Sequence, residues 1–503
     1  MKKILFVFFI GIAGLKAFAG ECIISGQQKN AKEKFLKLYL LYAGAHYRDQ
    51  LVDIKLNKDG QFNQRIQLPY PVFALLKYEG YERRLLLSPG RSLHLVFDGM
   101  RGIDAIKLTG LAAAENELLF RLKIGDQPFF MKDKADEANA KMPVDDLQKN
   151  ILDVLQRQYT DITNLIASAN IPESLQSILL SEVHYSNQCY LYDLAGYYMR
   201  AVNNKDQEVF LRKVMEFEPV PDSNTLVSGT FANMSIEYLI RYSMINAAKD
   251  VRTDSTAIAR RMQQIFGMPF NEVSQQVEKY GERYILNWLY AKNNIPASVR
   301  DKILFNRIIE SCDSKELSAG LMLMDTLQYY FPRSKYLPMA HAELNELQKI
   351  KRMQLNNSKI IVHEEKKISS FSELTKLHKG KVIYVDIWGT WCGPCRIEMN
   401  YVPELKKRFA DRDIVFIYID MDKPSKQDLW KEMLHLFALE GEHYRLDNNE
   451  IAPLWKEIEK EGGHTNLYPT FVLFDKTGKM IKPNAKRPGD REVLYKELEA
   501  ALH

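Results

Sequence analysis

Cys392 and Cys395 are separated by two residues, directly after an apolar run at 381–388 and directly before a stretch with helical character. This order predicts a strand, a tight turn that carries two thiols, and a helix. A Cys-x-x-Cys pair in such a setting is typical of redox chemistry, because the turn places the first sulfur at a helix N-terminus. A zinc site would need two more ligands, and Cys189 and Cys312 stand alone in the sequence, so we predict no metal.

The spacing of the two cysteines suits a reversible disulfide. Two intervening residues allow a small ring across the first helical turn, where unpaired N–H groups and about half a positive charge of helix dipole face Cys392. A thiol with a pKa near ~8.5 is about 3% ionised at pH 7, whereas one with a pKa near ~7 is about half ionised. Cys392 is therefore the predicted nucleophile, and Cys395 the group that resolves a mixed disulfide. Gly393 leaves room for a partner's backbone, and Pro394 fits the first helical turn.

Asp386 interrupts the predicted strand six residues before Cys392. A carboxylate in an apolar strand must keep its proton or find a partner, since an unpaired buried charge is costly. We expect Asp386 to take the proton from Cys395. A solvent-facing or purely structural aspartate also fits the pattern.

Tyr468, Pro469 and Thr470 stand before the apolar run 471–474. A proline at the start of a strand is a candidate for a cis peptide bond, with an ordinary trans proline as the alternative. A cis bend would expose backbone beside the thiols, where an extended substrate could pair with it. Trp391 either contacts substrate or is a simple rim aromatic.

Taken together, these residues resemble the thioredoxin superfamily. The strand residues 385–388, the motif at 391–395 and the segment 468–470 carry the resemblance. Arg396 and Glu398, together with the export signal described below, are similar to the TlpA/ResA-like branch of extracytoplasmic thiol–disulfide oxidoreductases.

The resemblance covers residues 356–503 and implies a role for four side chains. The family's nucleophilic cysteine, resolving cysteine, buried carboxylate and cis-proline correspond to Cys392, Cys395, Asp386 and Pro469. One departure is visible, because that branch often has a proline soon after its Arg-x-Glu, whereas four residues precede Pro403 here. The departure affects the expected substrate groove rather than the redox chemistry.

Residues 1–19 have the pattern of a secretory signal peptide, with Lys2 and Lys3, an apolar run at 4–15, and small residues before a cleavage site after Ala19. The apolar run is too short to span a bilayer, and no later run of about 18 apolar residues exists, so we predict no transmembrane segment in the mature chain. Loss of the signal's three lysines lowers the formal charge from +5 to +2, which gives no electrostatic basis for nucleic-acid binding. The predicted location is the periplasm or cell envelope.

Cys22 stands close behind the signal peptide and raises the question of a lipid anchor. A lipidation box needs small residues before its cysteine, whereas Glu21 is large and charged, so we expect no lipid at Cys22. The odd number of cysteines in the mature chain is a weak indication in the other direction, since one is left over. We expect Cys189 and Cys312 to be buried apolar residues rather than a disulfide.

Composition and length predict a multidomain chain of about three domains. Short alternating runs with turn signals predict an N-terminal all-β sandwich at 20–110, similar to the β domain that precedes thioredoxin-like modules in many exported proteins of Gram-negative bacteria. Helical spacing punctuated by prolines predicts a central all-α domain at 111–355, with one apolar stripe through Leu147, Ile151, Leu155 and Tyr159. Residues 356–503 are then the C-terminal α/β thioredoxin fold.

Within the C-terminal domain the pattern predicts a mixed sheet closed by a hairpin. A capping box of Ser370 and Glu373 is expected to begin its first helix. The predicted elements are helix 371–379, strand 381–388, helix 394–410, strand 413–419, helix 426–438, a strand at 443–446, helix 450–460, strands 470–475 and 479–482, and helix 490–502.

The sequence therefore predicts an exported enzyme that exchanges disulfides with protein substrates and needs no cofactor. The Gly-Pro pair between the cysteines resembles reducing thioredoxins, and a reductant in an oxidising compartment needs a membrane electron donor. The main alternative is a non-enzymatic envelope protein whose redox module docks a partner or senses redox state. A peroxidase fits less well, because Thr390 is two residues before Cys392 instead of the three that the peroxiredoxin pattern requires.

Overall fold

The computed structural model describes residues 20–30, 34–41, 50–78, 81–98, 102–122, 141–201, 209, 213, 255–280, 282–363 and 366–503. The chain folds into two compact units, Met1–Asn306 and Arg307–His503. The predicted signal peptide at 1–19 lies outside the described residues. The three-domain division at 20–110, 111–355 and 356–503 stays a prediction.

The first unit begins with strands whose inward residues alternate with outward ones, as a half-buried sheet requires. Its strands are β1 (Gly20–Lys29), β2 (Phe35–Leu40), β3 (Gln50–Lys55), β4 (Gln61–Leu68), β5 (Val72–Tyr78), β6 (Tyr81–Leu87), β7 (Leu93–Asp98) and β8 (Gly102–Thr109). They form two four-stranded sheets, in the orders β4-β1-β7-β8 and β3-β2-β5-β6. Leu38 of one sheet and Leu95 of the other belong to one buried apolar cluster, so the two sheets share a core.

Helices follow the strands in the first unit. They are α1 (Ala113–Leu122), α2 (Val144–Leu147), a π turn (Gln148–Leu152), α3 (Asp153–Ala167), α4 (Glu173–Ala201), α5 (Ser255–Phe266), α6 (Phe270–Tyr280), α7 (Glu282–Asn294) and α8 (Ala297–Asp313), which crosses the boundary between the units. The predicted apolar stripe is confirmed, since Leu147, Ile151 and Leu155 are buried and Tyr159 is half-buried.

The second unit combines helices with a six-stranded sheet. Its helices are α9 (Leu317–Tyr330), α10 (Leu337–Gln354), α11 (Phe371–Leu377), α12 (Gly393–Met399), α13 (Val402–Arg408), α14 (Gln427–Leu436), α15 (Ala452–Lys460) and α16 (Glu492–Leu502), with short 3-10 turns at Pro424–Lys426 and Pro488–Asp490. Its strands are β9 (Ile360–His363), β10 (Val382–Trp388), β11 (Ile414–Asp420), β12 (Gly441–Arg445), β13 (Thr470–Phe474) and β14 (Met480–Lys482).

The sheet of the second unit has the order β14-β13-β10-β11-β12-β9. It is mixed, as predicted, because β10 runs parallel to β11 and antiparallel to β13. Every residue of β10 is buried, and successive side chains enter separate apolar clusters on the two faces, Tyr384 in one and Val385 in the other. Helices cover both faces, which explains why this central strand is almost continuously apolar.

Two predictions about local structure were wrong, and one strand was not predicted. The predicted helix at 394–410 is two helices, because Pro403 cannot occupy a helix interior and instead lies in the first turn of α13. The sequence analysis missed β9, which pairs in parallel with β12 at the sheet edge. Ser370 makes no side-chain cap; the backbone N–H and the hydroxyl of Ser369 donate to Glu373 instead.

Candidate functional site

Cys392 and Cys395 form a disulfide at the end of β10, where the chain enters α12. The sulfur atoms are 1.96 Å apart and the Cα atoms 5.3 Å apart. Cys392 is the N-cap of the helix, and its Sγ accepts a hydrogen bond from the Cys395 N–H at 3.1 Å. Cys392 is 4% exposed and Cys395 is 0% exposed. The two cysteines are thus unequal, because Cys395 is fully buried whereas Cys392 keeps a small exposed fraction.

Exposed residues flank the disulfide. The Trp391 side chain is 57% exposed, Pro394 is also exposed, and a Cβ placed on Gly393 would meet no atom within 4 Å. The Trp391 ring meets the Tyr468 ring edge to face, with 4.9 Å between centroids. The fold therefore brings Trp391 and Tyr468 together beside the disulfide, with open space at Gly393.

The Tyr468–Pro469 peptide bond is cis, which confirms the prediction for this proline. Thr470 begins β13 and is opposite Ile387 of β10, so the strand that carries Asp386 also fixes this loop. The Thr470 hydroxyl donates to the Leu467 carbonyl at 2.6 Å. Its hydrogen bond thus lies within the loop itself.

Asp386 lies in the middle of β10 and is 3% exposed. Among the described residues, its Oδ1 has no hydrogen-bond partner. Burial, and next the negative charge of Glu398, raise the pKa of Asp386 well above its ordinary value. Glu398 is held in turn by the Gly489 N–H, which donates to its Oε2 at 2.7 Å. The solvent-facing alternative for Asp386 is excluded by this burial.

A second acidic pair, which the sequence analysis missed, supports the loop before the cysteines. The Thr390 N–H donates to Asp422 Oδ2 at 3.0 Å, and Arg445 Nε donates to Asp420 Oδ2 at 2.8 Å. Burial and the neighbouring Asp422 raise the pKa of Asp420 to about 8. Two aspartates at the end of an apolar strand were the available signal, because parallel strands carry functional loops at their carboxyl ends.

Arg396 follows Cys395 directly and forms an ion pair with Glu316, the residue before α9. Arg396 Nη1 and Glu316 Oε1 are 2.6 Å apart. No pattern in the sequence could have indicated this contact, because 80 positions separate the two residues.

Among the described residues, no three His, Cys, Asp or Glu side chains are arranged to hold a metal ion. In the same part of the chain, no helix has the length and apolar character needed to cross a bilayer.

A Cys-x-x-Cys disulfide at a helix N-terminus, after the central strand of a mixed sheet and near a cis-proline, defines the class of the module. It is a thioredoxin-like thiol–disulfide oxidoreductase module.

Comparisons with known proteins give the family. The Redoxin family matches residues 364–498. The chain is 32% identical over 106 residues to the thiol-disulfide oxidoreductase ResA of Bacillus thuringiensis subsp. konkukian, a match that covers 21% of this chain and 54% of that protein. It is 39% identical over 59 residues to a thioredoxin of Coprinus comatus, covering 12% of this chain and 56% of that one.

A solution structure from Bacteroides vulgatus, described as a candidate thiol-disulfide oxidoreductase, is 33% identical to this chain. The match covers 25% of this chain and 77% of that one, with a TM-score of 0.22. The chain spans about half the length of the curated relatives it matches. Its C-terminal segment is thus similar to TlpA/ResA-like modules of the thioredoxin superfamily.

Proposed function

We propose that this protein is an exported thiol–disulfide oxidoreductase that exchanges disulfides with protein substrates and works as a reductase. The observation that supports it most is the inequality of the two sulfurs. Cys392 caps a helix and borders an open approach, whereas Cys395 is wholly buried one turn inward. An attacking thiol needs access and a stabilised thiolate, while a resolving thiol needs only to reach the first sulfur.

The proposed cycle begins with the reduced protein. The Cys392 thiolate attacks one sulfur of a substrate disulfide, forms a mixed disulfide and releases the other substrate sulfur as a thiolate, which takes a proton from water. The Cys395 thiolate then attacks Cys392 Sγ, forms the intramolecular disulfide and releases the second substrate thiolate. Two electrons pass from the protein dithiol to the substrate.

Asp386 accepts the proton that Cys395 loses before its attack. The structure is the oxidised form, the end point of this step, and in that form the raised pKa of Asp386 favours the protonated carboxyl. In the proposed site Trp391, Gly393, Pro394, Tyr468, Pro469 and Thr470 border the substrate. The residues around the cis bond offer backbone, and Trp391 with Tyr468 offers an aromatic edge.

Export and partners complete the proposal. Cleavage after Ala19 would leave all of β1 in the mature chain, since this strand begins at Gly20. In the periplasm or envelope the dithiol must be regenerated, so a membrane electron donor is the expected second partner. We place the module after a β-sandwich domain at 20–110 and a helical domain at 111–355, whose roles are to bind the substrate or the donor.

Replacing the attacking sulfur tests the assignment directly. The Cys392→Ser variant should lose all reduction of insulin disulfides, because serine cannot form the mixed disulfide. Turnover would be followed by insulin turbidity with dithiothreitol as the electron donor, and Cys22→Ser is the matched control, since that buried cysteine has no part in the cycle. Retained turnover in Cys392→Ser would refute the proposal.

The second sulfur gives a different expected result. In Cys395→Ser the first step still proceeds and the second cannot, so covalent complexes with insulin chains should accumulate on non-reducing gels. If the complexes form with Cys392→Ser instead, the roles of the two cysteines are reversed.

A redox-sensing envelope protein is the second candidate. It is favoured by the compact unit Arg307–His503, in which the thioredoxin-like module is continuous with α9 and α10 rather than separate. This function predicts that reduction shifts the thermal unfolding midpoint while insulin is not turned over. Insulin reduction by the wild-type protein would favour the oxidoreductase over the redox sensor.

A further inference from the structure

Arg396 obtains its ion-pair partner from outside the thioredoxin-like segment. Glu316 lies directly before α9, and the side chains of Arg396 and Glu316 are only 13% and 15% exposed. Solvent therefore screens this pair less than a surface pair. Glu316 cancels much of the positive charge that Arg396 would otherwise bring to the cysteine helix.

Independent contacts fix the position of Glu316. Glu432 of α14 accepts hydrogen bonds from the Ser318 N–H at 3.0 Å, from the Ser318 hydroxyl at 2.8 Å and from Lys351 Nζ at 2.9 Å. Ser318 belongs to α9 and Lys351 to α10, so both helices are tied to α14. Glu316 is thus held beside the cysteine helix by a second attachment that does not involve Arg396.

Arg396 lies one helical turn after Cys392. The Arg396 N–H donates to the Cys392 carbonyl at 3.2 Å, so this residue closes the turn that Cys392 caps. A cation near a thiol favours the thiolate, and an anion near it opposes ionisation. The net charge of the Arg396 and Glu316 pair is therefore part of the environment of the attacking sulfur.

We propose that Glu316 is a positioning residue of the redox site, which neutralises Arg396 and thereby sets how readily Cys392 ionises. This inference rests on the proposed function, because it concerns the same attacking sulfur. It extends the redox site beyond the thioredoxin-like segment to a residue of the preceding helical region.

The test is Glu316→Gln in the full-length reduced protein, with Glu432→Gln as the matched control. Removal of the Glu316 charge leaves Arg396 uncompensated, so the thiolate-to-thiol ratio of Cys392 at pH 7 should rise about threefold. The equilibrium with glutathione should move toward the dithiol by up to about threefold, at most roughly 14 mV to less negative potential, with the full change reached when Cys392 is mostly thiolate. Glu432→Gln weakens the second attachment but keeps the ion pair, so both quantities should stay at the wild-type values.

A charge cycle separates an electrostatic role from a merely structural one. Arg396→Gln leaves the acid alone and should lower the thiolate ratio of Cys392, which is opposite in sign to Glu316→Gln. The double variant has no charge at either position and should return toward wild type. If the two substitutions only disturbed packing, both would change the thiolate-to-thiol ratio of Cys392 in the same direction, and their effects would add in the double variant.

The readouts are the pH dependence of iodoacetamide alkylation at Cys392 and the equilibrium with glutathione. Equal titrations for wild type and Glu316→Gln, or equal signs for the two single variants, would overturn the inference while leaving insulin turnover intact. Loss of insulin turnover in the wild-type protein would instead overturn the proposed function, and the alkylation titration would still report on Glu316.

Discussion

The protonation state of Asp386 depends on its surroundings more than on its residue type. Its carboxyl lies in a strand that is buried on both faces, with the charge of Glu398 as a further unfavourable neighbour. Both effects disfavour the ionised form, so the carboxyl keeps its proton at a pH where a solvent-exposed aspartate has lost it. A group of this kind can exchange a proton with a thiol, which an ordinary carboxylate does poorly.

Replacing Asp386 with asparagine removes the proposed proton acceptor for Cys395. We expect Asp386→Asn to slow release from the mixed disulfide by about ten- to a hundredfold, within the range of general acid–base effects, while formation of the mixed disulfide is little changed. Stopped-flow Trp fluorescence with a disulfide peptide would separate the two steps. The exposed Asp411 gives the control Asp411→Asn, and an unchanged second step in Asp386→Asn would remove the proton role.

The same variant has a predicted effect on stability. The pKa of Asp386 is raised in the folded protein, so between the ordinary value near ~3.9 and the folded value the unfolded chain binds fewer protons. The free energy of unfolding of the wild-type protein must therefore fall as the pH rises through this window. Asparagine does not ionise, so the Asp386→Asn variant does not lose stability in this way. Its melting temperature relative to wild type should therefore increase from pH 4 to pH 8.

The site could be predicted from sequence where its parts are close in the chain. Cys392, Cys395 and Asp386 lie within ten positions of one another. The local pattern of a strand followed by a helix was therefore sufficient to predict a redox site. Glu316 could not be predicted, because an ion pair over 80 positions depends on how α9 packs and leaves no local pattern. The hydrogen bond between Glu398 and Gly489 likewise joins distant segments.

At the scale of elements, the errors have separate physical causes. Pro403 was visible in the sequence, and its missing N–H was sufficient to predict that the helix after the cysteines breaks. β9 could not be predicted, because a four-residue edge strand is too short to show the alternation of apolar and polar residues that indicates a strand. Its pairing partner β12 is supplied by a segment about 80 positions later, so only the completed sheet defines it.

Gly441 lies where β12 begins and gives a test of how this edge is built. Its φ is +140°, and a Cβ there would lie 2.5 Å from the Phe416 carbonyl oxygen, which is backbone and cannot move aside. We expect Gly441→Ala to destabilise the second unit by at least about 3 kcal/mol, from backbone strain together with the clash. Calorimetry of the full-length protein would measure it.

Gly380 is the matched control for this substitution. Its φ is +81°, yet a Cβ at this position would meet no atom within 4 Å, so Gly380→Ala should cost only about 1 kcal/mol. Equal losses for the two variants would show that the close approach of Gly441 to β11 has no energetic consequence.

At the scale of the whole molecule, the second compact unit begins at Arg307, within α8, whereas composition places the start of the thioredoxin-like domain at 356. The difference comes from packing that composition does not record. Ser318 and Lys351 both bind Glu432, and these hydrogen bonds join helices before the sheet to a helix within it. A change in residue usage marks where the type of structure changes, and not where packing ends.

The cysteines supply a prediction that involves the whole chain. Cys22, Cys189 and Cys312 are buried, and burial raises the pKa of Cys22 to about 11. Since the thiolate is the reactive form, Ellman's reagent should find no fast thiol in the oxidised native protein and three in denaturant. After reduction and removal of the reductant, the native protein should quickly release two equivalents of thionitrobenzoate, because Cys392 forms a mixed disulfide with the reagent and Cys395 then displaces it to close the disulfide.

This count also tests the N-terminus. Cys22 lies in β1 and is fully buried in the core that the two sheets of the first unit share. A lipidated protein would give two thiols in denaturant instead of three. Reduced Cys392→Ser is the control for the fast thiol and should show none in the native state. A fast thiol in the oxidised native protein would contradict the burial of the three cysteines outside the disulfide, because a buried thiol must wait for the chain to open before it reacts.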